Sequence, residues 1–251
     1  MTSGTDNTRA RNLVLIALLG VITVFTAFYE GYFPKISILF LASLIAGYLI
    51  SVWLAFSVST KRLLSLILAT FIIEYVKESI GIRSRLWTYG VKGHFNFGVW
   101  AWVLAGLVAY TLSTRVVIRL IRKLKFSLPR WSNLIILILI FLLIPLTMGN
   151  YRSGADYLLW SFYGLLLIAG LYTSIRMDFP VFAGIVITAW IVGNPSEYAG
   201  SAGSGVWTFT HNPNYPPFFL LFGCWPLEIL AQYSLSAFLA NEPLDKDTFK
   251  I

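Results

Sequence analysis

The sequence predicts an all-α integral membrane protein of about eight transmembrane helices, arranged as two parallel four-helix repeats. Three observations carry that expectation. Of 251 residues, 57% are hydrophobic and 16% aromatic, while only 12% are charged, against roughly 25% charged in an ordinary soluble domain. Apolar runs of ~20 residues, the length that spans a bilayer as a helix, recur along the whole chain. A short pattern of acid, glycine and aromatic pair occurs once in each half.

The expected spans are 12–29, 36–57, 62–82, 98–118, 132–149, 157–175, 179–199 and 216–239. The first follows Arg9 and Arg11 but ends in Phe28-Tyr29-Glu30, without the small-residue cleavage site of a signal peptide, so it is read as a retained helix. Lys and Arg concentrate at both ends and in the stretch from Arg115 to Arg130. The positive-inside rule then places both termini in the cytoplasm, with the basic stretch near anionic lipid headgroups. The net charge of +8 is absorbed by these loops and implies no nucleic-acid partner. A single cysteine, Cys224, excludes an intramolecular disulfide and a cysteine-based metal site.

The basic linker divides the chain into residues 1–127, a first four-helix repeat, and 128–251, a second, together forming one membrane domain. Each third span ends in glutamate and is followed by a loop rich in glycine and aromatics, 81–97 and 200–215. Within these, Glu74-Tyr75 and Glu78 precede Trp87-Thr88-Tyr89, and Glu197-Tyr198 precedes Trp207-Thr208-Phe209. Glu74 lies thirteen residues before Trp87, Glu78 nine, and Glu197 ten before Trp207, so spacing leaves open which of Glu74 and Glu78 matches Glu197. An even number of spans per half makes a parallel repeat, with a site expected at the interface of the halves.

Glu74, Glu78, Glu197 and Glu228 are the candidate catalytic residues. Acids in apolar runs face an interior or a cavity, and burial raises a carboxyl pKa, so that one acid can donate a proton while a neighbour accepts one. Pairing with Lys77, Arg83 and Arg85 is the plainer structural role. Trp87, Tyr89, Trp100, Trp207, Phe209 and Trp225 are candidate substrate-binding residues, with Trp102 beside them; aromatic faces stabilise a cation, and an ordinary aromatic belt is the alternative for each. His94 and His211 lie in the repeated loops without a second ligand at helical spacing, so no metal site and no cofactor are expected. Asn194, Asn212, Pro213 and Asn214 are expected to mark turns and a lid.

The segments Asn194-Pro195-Ser196-Glu197-Tyr198-Ala199-Gly200, Gly205-Val206-Trp207-Thr208-Phe209 and Trp225-Pro226-Leu227-Glu228 together resemble the heterodimeric-type lycopene cyclase domain. The match covers about thirty-five residues of the second half, with a weaker echo at Glu78–Tyr89. Ile229 stands where that family has a second glutamate. The resemblance implies Glu197 and Glu228 as the acidic pair and Trp207 in the pocket. It also implies a non-redox reaction that protonates a polyene and closes a ring, or adds water, through a carbocation. The expected function is therefore a membrane-embedded isoprenoid cyclase or hydratase, with an apolar isoprenoid and membrane lipids as partners. A transporter or binding protein for an isoprenoid or other lipid is the alternative.

Overall fold

A computed structural model describes residues 3–29, 38, 41–42, 45–46, 48–49, 52, 59–89, 113–149, 157–203, 205–211 and 216–242. Helices dominate: α1 (Ser3–Tyr29), α2 (Thr60–Arg83), α3 (Trp131–Thr147), α4 (Tyr157–Ser174), α5 (Phe179–Thr188), α6 (Asn194–Gly200) and α7 (Trp225–Ala240). A further helical stretch covers 113–123. Two short strands, β1 (Trp87–Tyr89) and β2 (Trp207–Phe209), follow α2 and α6. The expected spans 36–57 and 98–118 fall mostly outside the described residues.

The helices form where the apolar runs lie, but the eight-span arrangement in two repeats does not stand. Among the described residues, two helical segments are long and apolar enough to cross a membrane, Tyr157–Ser174 and Phe179–Gly200. A core helix satisfies the same criteria, and half of the apolar window of the second is buried inside the protein. Three further runs fall short for visible reasons. α3 has 17 residues and α7 has 16, below the ~20 that a bilayer core requires. α2 has 24 but carries Lys61, Arg62, Glu74, Lys77, Glu78 and Arg83. With the eight spans go the multi-pass membrane placement and the assignment of both termini to the cytoplasm. The runs are instead divided between a buried face, such as Leu137, Ile140 and Ile144 of α3, and an exposed one, such as Leu139, Leu142 and Leu146.

Local sequence explains the helix ends. Ser59 caps α2, its side chain accepting from the Arg62 backbone N–H at 3.1 Å, as a serine N-cap does. α5 opens on Asp178-Phe179-Pro180, with proline in the first turn where its missing N–H costs nothing. Asn133 at the start of α3 donates from Nδ2 to the carbonyls of Ser174 and Met177, at 2.9 and 3.1 Å. It thereby ties α3 to the C-terminal end of α4.

The acid-bearing helices begin in an unusual way. α5 runs into α6 through a π-helical turn, Ala189–Gly193, and α7 is entered through another, Phe219–Cys224. Each is followed by a proline, Pro195 or Pro226, then two residues later by a glutamate, Glu197 or Glu228. Proline cannot bond the carbonyl four residues behind it, and π-turns frequently sit at functional sites. Pro226 leaves the Phe222 carbonyl without that bond, and the Trp190 indole N–H donates to it at 3.2 Å, joining the two π-turns. The expected turn at Asn194 is thus continuous helix; Asn212, Pro213 and Asn214 lie outside the described residues.

β1 and β2 pair antiparallel in a two-stranded ribbon with Trp87 opposite Phe209, Thr88 opposite Thr208 and Tyr89 opposite Trp207. Alternation puts the four aromatics on one face and the threonines on the other, where the two hydroxyls meet at 3.2 Å. The two copies of the motif therefore touch each other. Beneath them α2 packs on α7, and their contact holds the buried charges.

Candidate functional site

Three of the four predicted glutamates surround one ammonium group. Lys77 Nζ lies 2.5 Å from Glu74 Oε2, 3.3 Å from Glu78 Oε1 and 3.5 Å from Glu228 Oε2. Helical geometry requires part of this: Glu74, Lys77 and Glu78, spaced three and four apart, share a face of α2. α7 delivers Glu228 to the same point. All four residues are at least nine-tenths buried. Lys77 also lies 5.4 Å from the centre of the Trp225 ring, whose face adds a weak attraction for the cation. Arg83 and Arg85, the other cations considered for this role, are exposed.

Hydrogen bonds fix each carboxylate. Glu78 Oε2 accepts from Trp87 Nε1 at 2.8 Å and from the Tyr89 hydroxyl at 2.6 Å. With Lys77 on Oε1, each hydrogen-bond or ion-pair partner of Glu78 among the described residues is a donor, an arrangement suited to a proton acceptor. Glu228 Oε1 accepts from the Tyr163 hydroxyl at 2.8 Å. Glu74 Oε1 accepts from Gln232 Nε2 at 2.7 Å. Glu197 differs. Its Oε2 accepts from Trp207 Nε1 at 3.0 Å, and its Oε1 makes no hydrogen bond among the described residues.

The geometry settles the correspondence that spacing left open: Glu78 is the counterpart of Glu197. Each takes the indole N–H of the tryptophan that opens the following strand. The glycine three residues after each glutamate, Gly81 or Gly200, lies against that ring, and a Cβ there would sit inside the indole. Leu86 N–H donates to the Gly81 carbonyl, and Val206 N–H to that of Gly200, both at 2.9 Å. Two residues before each tryptophan the chain turns left-handed, at Arg85 (φ 55°) and Gly205 (φ 62°). The extra residue of the second loop lies between Gly200 and Gly205, which shifts the spacing without moving the ring.

Burial sets the electrostatics. It pushes Glu197 up to about 8; Lys77 and the Trp207 hydrogen bond pull the value down, while Glu78 and Glu228 push it up. Glu74 is raised to about 7, again chiefly by burial, with Lys77 opposing. For Lys77 burial favours the neutral amine, but Glu228, Glu74, Glu78 and Glu197 together outweigh it and hold the ammonium well above its ordinary range. Burial likewise raises the Tyr89 and Tyr163 hydroxyls and the Cys224 thiol, which hydrogen-bonds to Tyr163. Burial thus favours the protonated form of Glu197, beside the three acids that contact Lys77.

The aromatic candidates lie around these acids. Tyr89 and Trp207 have ring centres 6.3 Å apart, as do Trp87 and Phe209, the latter pair edge to face. The Trp225 ring packs on Gly193, where a Cβ would approach it to 3.0 Å. Trp100, Trp102 and His94 lie outside the described residues. No group of three potential metal ligands occurs among the described residues, and the positive charge at the centre of the carboxylates is that of Lys77. Sequence reasoning missed Tyr163, Cys224 and Gln232. Gln232 was within reach, because it follows Glu228 by four residues on the same helical face; Tyr163 and Cys224 carried no local signal.

Comparison with protein-family models, curated proteins and solved structures finds no match. The resemblance noted above rests on its quoted residues alone. A lycopene-cyclase or terpene-cyclase identity and a place in carotenoid biosynthesis are therefore not assigned.

Proposed function

We propose that this site is the acid–base centre of an enzyme that protonates a carbon–carbon double bond in an apolar isoprenoid. One observation carries the reading: Glu197 and Glu78 are held alike, but Phe209 stands in the ribbon position that Tyr89 occupies in the other copy. Glu78 thus receives two hydrogen-bond donors and Glu197 one. The copy with the extra donor is suited to accept a proton; the other has one oxygen without a hydrogen bond among the described residues.

Glu197 gives its proton to the alkene, leaving a carbocation on the substrate. The faces of Tyr89, Trp207 and Trp225 stabilise that charge. Loss of a proton to Glu78 or Glu228 completes a cyclisation or isomerisation; capture by water, with loss of a proton to the same carboxylates, completes a hydration. The catalytic proton returns to Glu197 from the network or solvent. The paired environments are those that acid–base enzymes use to separate donor from acceptor.

The test is incubation of the purified protein with polyprenyl alkenes in heavy water, followed by mass spectrometry. Wild type should form a product carrying deuterium at the protonated carbon. Glu197→Gln, which keeps shape and hydrogen bonding but holds no transferable proton, should lower turnover by ~10²–10⁴-fold or more. Binding of such a molecule by wild type with no conversion and no deuterium would leave a non-catalytic binding protein and defeat the enzymatic reading.

A further inference from the structure

Among the described residues, four carboxyl groups share this buried site with one ammonium. Fully ionised, the cluster would carry three uncompensated negative charges out of water, which no arrangement of a few hydrogen bonds offsets. It must therefore retain protons, and something must decide where they stay. The groups that face one another are Glu74, Lys77 and Glu78 from α2, Tyr89 from β1, Tyr163 from α4, Glu197 from α6, Cys224 from the π-turn before α7, and Glu228 from α7. Lys77 is the cation among them, and its Nζ is within 3.5 Å of Glu74, Glu78 and Glu228. Glu197 feels its charge without an ion pair to it among the described residues.

We infer that Lys77 is a positioning residue that limits how many protons the four-glutamate cluster holds and so makes the one on Glu197 transferable. The inference rests on the acid–base reading above and deepens it. By contacting Glu74, Glu78 and Glu228 and not Glu197, the ammonium favours negative charge on three acids over the fourth; Glu78 and Glu228 also accept hydrogen bonds, from Trp87 and Tyr89 and from Tyr163. Glu74 can take either form. Gln232 Nε2 donates to it, while Gln232 Oε1 is buried without a hydrogen-bond partner among the described residues. A carboxamide turned end for end offers that oxygen to a protonated Glu74, so the pair accommodates gain or loss of a proton without moving the helices.

The experiment compares wild type, Lys77→Met and Lys77→Arg by infrared titration of the protonated-carboxyl band, with Glu197→Gln and Glu74→Gln to assign its components, alongside the pH profile of kcat/KM. Loss of an adjacent opposite charge moves a carboxyl by about 1–3 pH units. In Lys77→Met the Glu197 and Glu74 components should persist to higher pH by at least a unit, and the basic limb of the activity profile should follow. Lys77→Arg should restore both toward wild type. If Lys77→Met does not fold, Lys77→Met combined with Glu74→Gln, which removes one charge of each sign, carries the test; the Glu197 component should still move upward. An unchanged Glu197 component in the folded variant overturns the inference. The infrared signal needs no substrate, so absent turnover with a shifted band defeats the enzymatic reading and upholds the role of Lys77.

Discussion

Glu78 and Glu197 are counterparts that differ by one hydrogen bond. Trp87 and Trp207 hold them alike, at 2.8 and 3.0 Å, but Glu78 also receives the Tyr89 hydroxyl at 2.6 Å. Phe209 occupies the matching position on β2 and has no hydroxyl to give. A donor to a carboxylate favours the charged form, so this hydroxyl, with the Lys77 ion pair that Glu78 makes at 3.3 Å, biases the two acids toward opposite duties.

Adding the missing hydroxyl should reduce the bias. Phe209→Tyr is expected to place a hydroxyl toward Glu197 and lower its pKa below about 8. The basic limb of the kcat/KM profile should then move to lower pH, with slower turnover at neutrality. Trp207→Phe should act oppositely, since it removes a hydrogen bond that lowers the Glu197 value; the limb should move to higher pH. A profile that stays in place in both variants refutes the assignment of Glu197 as the acid.

Gly200→Ala should uncouple Trp207 from Glu197. The added methyl occupies the space of the indole ring, and overpacking of a tight contact costs about 1–3 kcal/mol. Gly81→Ala should do the same to Trp87 and Glu78. Tryptophan fluorescence would report the displaced ring, and chemical denaturation the loss of stability. Native-like values for both alanine variants would contradict the packing described here.

Stability should fall as pH rises from mildly acidic to mildly alkaline. Glu197 moves from an ordinary 4.5 to about 8, and Glu74 from 4.5 to about 7. The folded protein therefore holds protons that the unfolded chain has already released, and linkage makes stability decline with pH across that interval. The contribution of both groups is fully present below about pH 4.5, shrinks as pH rises and levels off above about 8. Denaturation midpoints measured from pH 5 to 9 should decline, and the decline should weaken in Glu197→Gln. A variant whose slope equals that of wild type would show that Glu197 is not the group responsible.

Trp190→Phe should cost about 0.5–1.5 kcal/mol, the net worth of one hydrogen bond. It keeps a ring against Phe222 but removes the N–H that serves the Phe222 carbonyl. Denaturant titration measures it, and an unchanged midpoint would mean that the bond joining the π-turns adds nothing.

The acids and aromatics of the site were legible because they break a local rule: Glu74, Glu78, Glu197 and Glu228 interrupt apolar runs, and Trp87 and Trp207 repeat at similar distances behind two of them. The pairing of Glu78 with Glu197 was hidden by one extra loop residue before Gly205, since spacing counts residues and the chain folds contacts. The shared glycines, Gly81 and Gly200, each three residues after a glutamate, were the unused signal. Tyr163 could not be read, because its bond to Glu228 joins helices 65 residues apart and no period links them. Hydropathy misled the reading at α2 and α7, because α7 has 16 residues and α2 carries six charged ones, three of them in a buried ionic cluster.

The π-turns before α6 and α7 give the chain a latitude in length that composition does not register. A π-turn takes one more residue per turn than an α-turn, so it absorbs a residue that would swing a regular helix by ~100°. Removing Ile191 or Leu221 would close the wide turn to an α-turn, with the spacing within each motif unchanged and Glu197 or Glu228 still near its bearing. The contact between the turns, the Trp190 N–H on the Phe222 carbonyl, would change instead. At these two points the chain should tolerate the loss of one residue at the expense of that bond, not of the aim of the acids.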